Sequence, residues 1–192
     1  MAYMKSGTNL LFNNTTGDIV GMKDPDGSEL YFARIPHVAS FYDVSDQTAS
    51  ANTATPMECD TVDISNSITL VDNSKITFSR AAIYNIQFSA QFKNTDNSSE
   101  YNISIWLAKN GNPVDNSNTE ITIPRKHGGG DGFVVAAWNF FVTGVAGDYY
   151  QIMWSTPSAL VSLEYRPTQT SPVRPAVPSV ILTVNEVDGT MP

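Results

Sequence analysis

Of all the stretches in this chain, Lys126-His127-Gly128-Gly129-Gly130-Asp131 comes nearest to a chemical signature. A His-Gly-Gly-Gly string can aim a backbone N–H at a developing oxyanion, but only beside a nucleophile held on a Gly-X-Ser-X-Gly turn. The chain has no such turn, so the string reads as a flexible glycine loop. His37, His127 and Cys59 supply the nitrogen and sulfur ligands, and they lie far apart with no zinc-type pair. Asp24, Asp26, Ser28 and Glu29 lack the run of oxygen ligands and the terminal Glu of a calcium loop, and read as a turn. Asp43-Val44-Ser45-Asp46 offers oxygens to a cation only where several copies of the chain meet. Glycoside hydrolysis needs two carboxylates set across a cleft, whereas Asp60, Asp63 and the other acids are scattered through loops. No Gly-Lys dipeptide exists to build a phosphate loop. The expectation is a protein that is not an enzyme, with no cofactor and no resident metal. Trp106, Tyr149, Tyr150 and Tyr165 have two readings, a sugar-stacking platform or core and subunit interface, and the second is favoured.

The elements that position these residues are strands. From Ala82 to Phe92 the residues alternate: Ala82, Tyr84, Ile86, Phe88, Ala90 and Phe92 share one face, and Asn85, Gln87, Ser89 and Gln91 the other. Further strands are expected over 39–44, 61–64, 67–70, 75–78, 101–109, 120–123, 133–143, 149–155, 160–165 and 179–187, with no helix-period segment of ten residues among them. Asn110-Gly111 has the chemistry of a two-residue hairpin turn. Four prolines between Arg166 and Pro178 predict a long crossing loop. Short strands without crossover helices imply antiparallel sheets packed as a sandwich or closed as a barrel.

Two segments are apolar on both faces. In 133–143 only Asn139 and Thr143 are polar, and Val180-Ile181-Leu182 has no polar member. One face of each belongs in a core; Phe133, Val135, Phe141 and Ile181 are left over and are predicted to lie at an interface with further copies of the chain.

The 192 residues suit one substantial domain with an appendage. Residues 1–36 form the appendage, an arm in which 17–22 and 30–34 pair as a β-hairpin across Asp24-Pro25-Asp26-Gly27, and residues 37–192 form the main domain. Ile19, Val20, Met22, Leu30 and Phe32 are the arm's docking candidates. A net charge of -8, with no cluster among the 11 Lys and Arg, lacks the basic footprint of a nucleic-acid binder. One cysteine makes no intrachain disulfide, and no segment approaches a membrane span or an export signal. The expectation is a soluble protein made in a cytoplasm.

Three features together resemble a known family. Ile83-Tyr84-Asn85-Ile86-Gln87-Phe88 looks like a central strand, Ile105-Trp106-Leu107-Ala108-Lys109-Asn110-Gly111 like the strand and turn after it, and Val145-Ala146-Gly147-Asp148-Tyr149-Tyr150-Gln151-Ile152 like a Gly-Asp entry to the next long strand. Ser179-Val180-Ile181-Leu182-Thr183-Val184 looks like the closing strand. The pattern, over roughly 38–187, resembles the jelly-roll domain shared by the complement component q globular head, tumour necrosis factor and the tips of bacterial collagen-like spore filaments. It departs at Ala82-Ile83, where the family carries Gly, and lacks a collagen-like stalk. The resemblance implies an all-β antiparallel jelly-roll sandwich assembled as a homotrimer around strand edges and the closing strand.

Gly17-Asp18-Ile19-Val20-Gly21 followed by Pro25-Asp26-Gly27-Ser28-Glu29 is similar to short attachment modules in structural proteins of tailed bacteriophages. That similarity implies a virion-surface protein, assembled in the host cytoplasm, whose partners are other capsid or tail proteins and which decorates or cements the capsid. The alternative is the tip of a tail or head fibre that recognises a host surface glycan through the loops 94–100 and 127–132.

Overall fold

A computed structural model describes residues 7–12, 19–31 and 37–188. The chain divides into two compact units, Met1–Pro36 and His37–Pro192.

In the first unit, β1 (Asn9–Phe12), β2 (Ile19–Lys23) and β3 (Glu29–Tyr31) form an antiparallel sheet in the order β1-β2-β3. The β2–β3 turn follows from its residues. Gly27 takes φ +88°, its N–H donates to the Asp24 carbonyl at 2.9 Å, and the Asp26 carboxylate accepts from the Ser28 N–H and hydroxyl at 3.0 and 2.6 Å. The expected hairpin therefore gains a third strand, β1, whose Leu10-Leu11-Phe12 run has no alternation to betray it. Ile19, Val20 and Met22 fall in β2 and Leu30 in β3; Met22 is half-buried, and Phe32 lies outside the described residues.

The second unit is all β. Its strands are β4 (Val38–Asp43), β5 (Gln47–Thr48), β6 (Thr55–Pro56), β7 (Thr61–Asn66), β8 (Ile68–Val71), β9 (Lys75–Phe78), β10 (Ala82–Asn94) and β11 (Tyr101–Lys109). There follow β12 (Asn112–Pro113), β13 (Thr119–Ile123), β14 (Gly132–Gly144), β15 (Tyr149–Ser155), β16 (Val161–Leu163), β17 (Gln169–Thr170), β18 (Val173–Arg174) and β19 (Val180–Asp188). Two large antiparallel sheets result, with β17 and β18 apart from them. In the first, β14 pairs with β10 along its whole length, β19 and β16 share the other edge of β10, β4 and β7 follow β19, and β5 follows β16. In the second, the order is β12-β11-β15-β9-β8, with β13 also on β11 and β6 on β15.

The alternation in β10 puts Tyr84, Ile86, Phe88, Ala90 and Phe92 between the sheets, where all are buried. Aromatic contacts join the layers: Phe78 of the second sheet stacks on Tyr84 at 4.1 Å, and Phe92 meets Trp154 edge-on at 5.5 Å. Ile103, Ile105, Leu107, Ile152 and Leu182 complete a core as two inward faces of a sandwich should. Strand β14 is bracketed by glycines for a steric reason. A Cβ on Gly132 would lie 1.8 Å from the Pro124 carbonyl oxygen, and one on Gly144 2.6 Å from the Phe78 ring.

The proline-rich segment is more ordered than a crossing loop. Strands β17 and β18 pair as a small hairpin, closed below by the Arg166–Val177 bridge, because the prolines stand at and outside the turn and leave donors free at 169, 170, 173 and 174.

Candidate functional site

The residues that carried possible chemistry do not all converge; Cys59, Asp43 and Asp60 are brought together. His127 and its glycines form the exposed tip between β13 and β14, where His127 and Gly130 exchange backbone hydrogen bonds of 2.8 and 2.9 Å and Gly128 and Gly129 take positive φ. His37 is buried. Its ring nitrogen lies 3.4 Å from the Tyr84 hydroxyl, and its backbone N–H donates to Glu186, which pairs with Arg80. Asp43 points inward and accepts from the hydroxyls of Ser179 and Ser45 and the amide of Gln47 at 2.6 to 3.1 Å. Beside it, burial, then Asp43, then Asp60 push the Cys59 thiol up to about 12. Among the described residues, no group of three His, Cys, Asp or Glu side chains is placed to hold a metal ion.

The loops 94–100 and 127–132 are neighbours in space, since the Lys126 N–H donates to the Asp96 carbonyl at 2.7 Å. Asp96 is committed to its own loop. The Tyr101 hydroxyl, the Ser98 hydroxyl and the Ser98 N–H bind its carboxylate at 2.6 to 2.8 Å and hold it down to about 2. Lys126 pairs with Asp131 across the second loop. Both loops are held by internal contacts, and His127 to Gly130 remain exposed.

What the fold does assemble is a surface. Odd-numbered residues of β10 and β14 and of β19 up to Asn185, with even-numbered residues of β4, face outward from the first sheet. From Ile83 to Gln91, Val135 to Thr143, Ile181 to Asn185 and Val38 to Tyr42, no outward residue carries a charge. Phe141 is 66% exposed, Val135 59%, Ile181 41% and Phe133 38%. Their arrangement is specific. Phe141, Val135 and Phe133 run along the edge strand β14, while Ile181 sits two strands away, separated from Ala137 by Ser89 of β10. The Arg166 guanidinium lies 4.0 Å over the Phe133 ring, so one side of that ring is already occupied.

Between these apolar groups runs a band of neutral amides. The Asn139 amide donates to the Asn85 carbonyl oxygen at 3.0 Å, and Asn85 donates to Asn185 at 3.4 Å. Sequence reasoning found the exposed apolar residues from the double-sided strands but missed that the strands between them present only neutral groups. The signal was in the letters, as the absence of Lys, Arg, Asp and Glu from alternate positions of strands that only tertiary pairing makes adjacent.

No protein-family model and no curated protein matches the chain.

Proposed function

We propose that the chain is a non-enzymatic structural protein of a bacteriophage particle, a homotrimer that decorates or cements the capsid surface, with the first unit as its docking arm. The observation that carries self-association is the uncharged outer face of β14, β10, β19 and β4, studded with Phe141, Val135 and Ile181, on a chain of net charge -8. Copies of so acidic a chain repel one another wherever their charges face, and association is favoured where charge is absent and apolar area can leave water. The wiring supports a jelly roll. The first strand of the unit, β4, lies beside the last, β19, and each sheet draws neighbours from distant parts of the chain, as two nested Greek keys require.

The virion setting rests on the likeness of 17–29 to phage attachment modules and on a compact first unit distinct from the sandwich. Three linked arms would hold a particle far more tightly than one, through effective concentration alone. Sedimentation equilibrium tests the first step, with an expected mass three times that of the 20.9 kDa chain. A monomer at micromolar concentration overturns it. Mixing with particles that lack this chain tests the second; saturable binding lost on removal of residues 1–36 is the expected result, and binding that survives the removal overturns it.

A further inference from the structure

On the opposite side of the sandwich, Trp106 of β11 lines a shallow, open depression of about 410 Å³ together with Ser104, Ser155 and the segment joining β12 to β13, with Asp115, Asn116 and Asn118. That segment is fixed rather than loose. The buried Ser117 hydroxyl donates to the Val114 carbonyl at 2.7 Å and accepts from the Leu107 N–H at 3.1 Å, while the Val114 N–H donates to the Leu107 carbonyl at 2.8 Å. Asn116 is held at φ +60°, a conformation that Asn tolerates better than most residues. The segment is therefore built before any ligand arrives, so little ordering entropy remains to be lost on binding.

The polar groups of the lining face solvent, with Asp115, Asn116 and Asn118 exposed, and are open to an incoming ligand. Ser104, Trp106, Asp115, Asn116, Asn118 and Ser155 make no side-chain hydrogen bond among the described residues, although the loops elsewhere are dense with such bonds. We infer that this depression binds a neutral saccharide of one or two rings, with the Trp106 indole against the apolar face of a sugar ring. The two amides can each donate and accept, the carboxylate can accept from adjacent hydroxyls, and the serines can do either. That mixture matches vicinal hydroxyls. The lining contains no Lys, Arg or His, which disfavours phosphate and carboxylate ligands.

A peptide is the weaker occupant on two grounds. Both edges of β11 are paired, to β15 on one side and to β13 and β12 on the other, so no strand edge is open for backbone addition there. A single aromatic residue does not make the lined groove that polyproline segments require. The volume falls within the roughly 300–1,000 Å³ of small-molecule sites.

The test is ligand-observed saturation-transfer NMR on the full chain, titrating the methyl glycosides of glucose, galactose, mannose, rhamnose and N-acetylglucosamine and the corresponding disaccharides. At least one is expected to bind saturably with Kd at or below about 10 mM. Trp106→Ala should abolish saturable binding. Asn116→Gly, which keeps the positive φ available, should weaken it at least about fivefold while leaving the melting temperature in place. No saturable glycoside, or binding that survives both substitutions, overturns the inference. Binding of a proline-rich or other peptide with no response to sugars would also overturn it. Failure here leaves the trimer proposal standing, because that rests on the other sheet.

Discussion

Cys59 shows how a single residue's role is decided by its surroundings. In sequence it is a lone cysteine beside Glu58 and Asp60; in the fold it is buried, and burial together with Asp43 and Asp60 raises its pKa to about 12. At pH 8 the thiolate fraction is then only about one in ten thousand, and thiolate is the species that reacts. Ellman's reagent is expected to modify the folded protein at least about 100-fold more slowly than the chain in guanidinium. Equal rates would show that Cys59 is reached without unfolding. Asp60, which sequence reasoning weighed for acid chemistry, accepts only from its neighbour Thr61 at 2.8 Å among the described hydrogen bonds, whereas Asp43 is absorbed into a hydrogen-bonded corner with Ser179, 136 residues away. Such a partnership is invisible in sequence because nothing local specifies it.

At the scale of elements, β10 and β14 carry the first sheet. Their thirteen-residue register from Ala82↔Gly144 to Asn94↔Gly132 has no interruption, and the alternation of β10 made its inward set legible from the letters alone. The glycines ending β14 were not legible as steric requirements. A Cβ at Gly132 would overlap the Pro124 carbonyl oxygen at 1.8 Å and approach its carbon at 2.7 Å, so Gly132→Ala is expected to cost about 2–4 kcal/mol and to lower the melting temperature by several degrees. Gly130→Ala, whose new Cβ would meet only the His127 oxygen at 3.6 Å, should stay within about 0.5 kcal/mol. Thermal melts of the two variants check the pair, and a similar loss in both would mean that loop flexibility rather than contact sets the cost. The Asn110-Gly111 turn behaves as its residues dictate, with φ of 50° and 82°. Strands β5, β6, β12, β17 and β18 are two-residue pairings that no periodicity can announce.

For the whole molecule, the consequential feature is what the closed sandwich leaves outside. Phe141 has most of its surface in water, opposite Asn85 across the ladder and beside no charged group of the sheet's central face. In the proposed trimer it is an aromatic anchor, and Phe141→Asp should raise the dissociation constant about 30-fold or more, since truncating an interface anchor costs about 2 kcal/mol or more. Because Phe141 contributes little to the core, circular dichroism of the dissociated variant should match that of the parent, and its melting temperature should match that of the parent diluted below its dissociation constant. An unchanged sedimentation mass for Phe141→Asp would remove this face from the interface. Ile181, separated from β14 by the polar row of β10, is expected to matter only if the partner spans that row, and Ile181→Ser measures this separately.

The sequence by itself determined the longer strands of the sandwich, their inward faces and the Asn110-Gly111 and Asp24 to Gly27 turns, because alternation and turn chemistry are local properties that each segment carries whatever its neighbours. It also determined that apolar residues would remain after one sandwich closed. Only the tertiary structure decided which strands lie side by side, and so which residues share a face. Pairing β10 with β14 and β19 turned scattered neutral positions into one uncharged surface, and folding the β12–β13 segment onto Leu107 set a lone tryptophan in the lining of a shallow depression. Both depend on contacts between residues far apart in the chain, which periodicity does not encode.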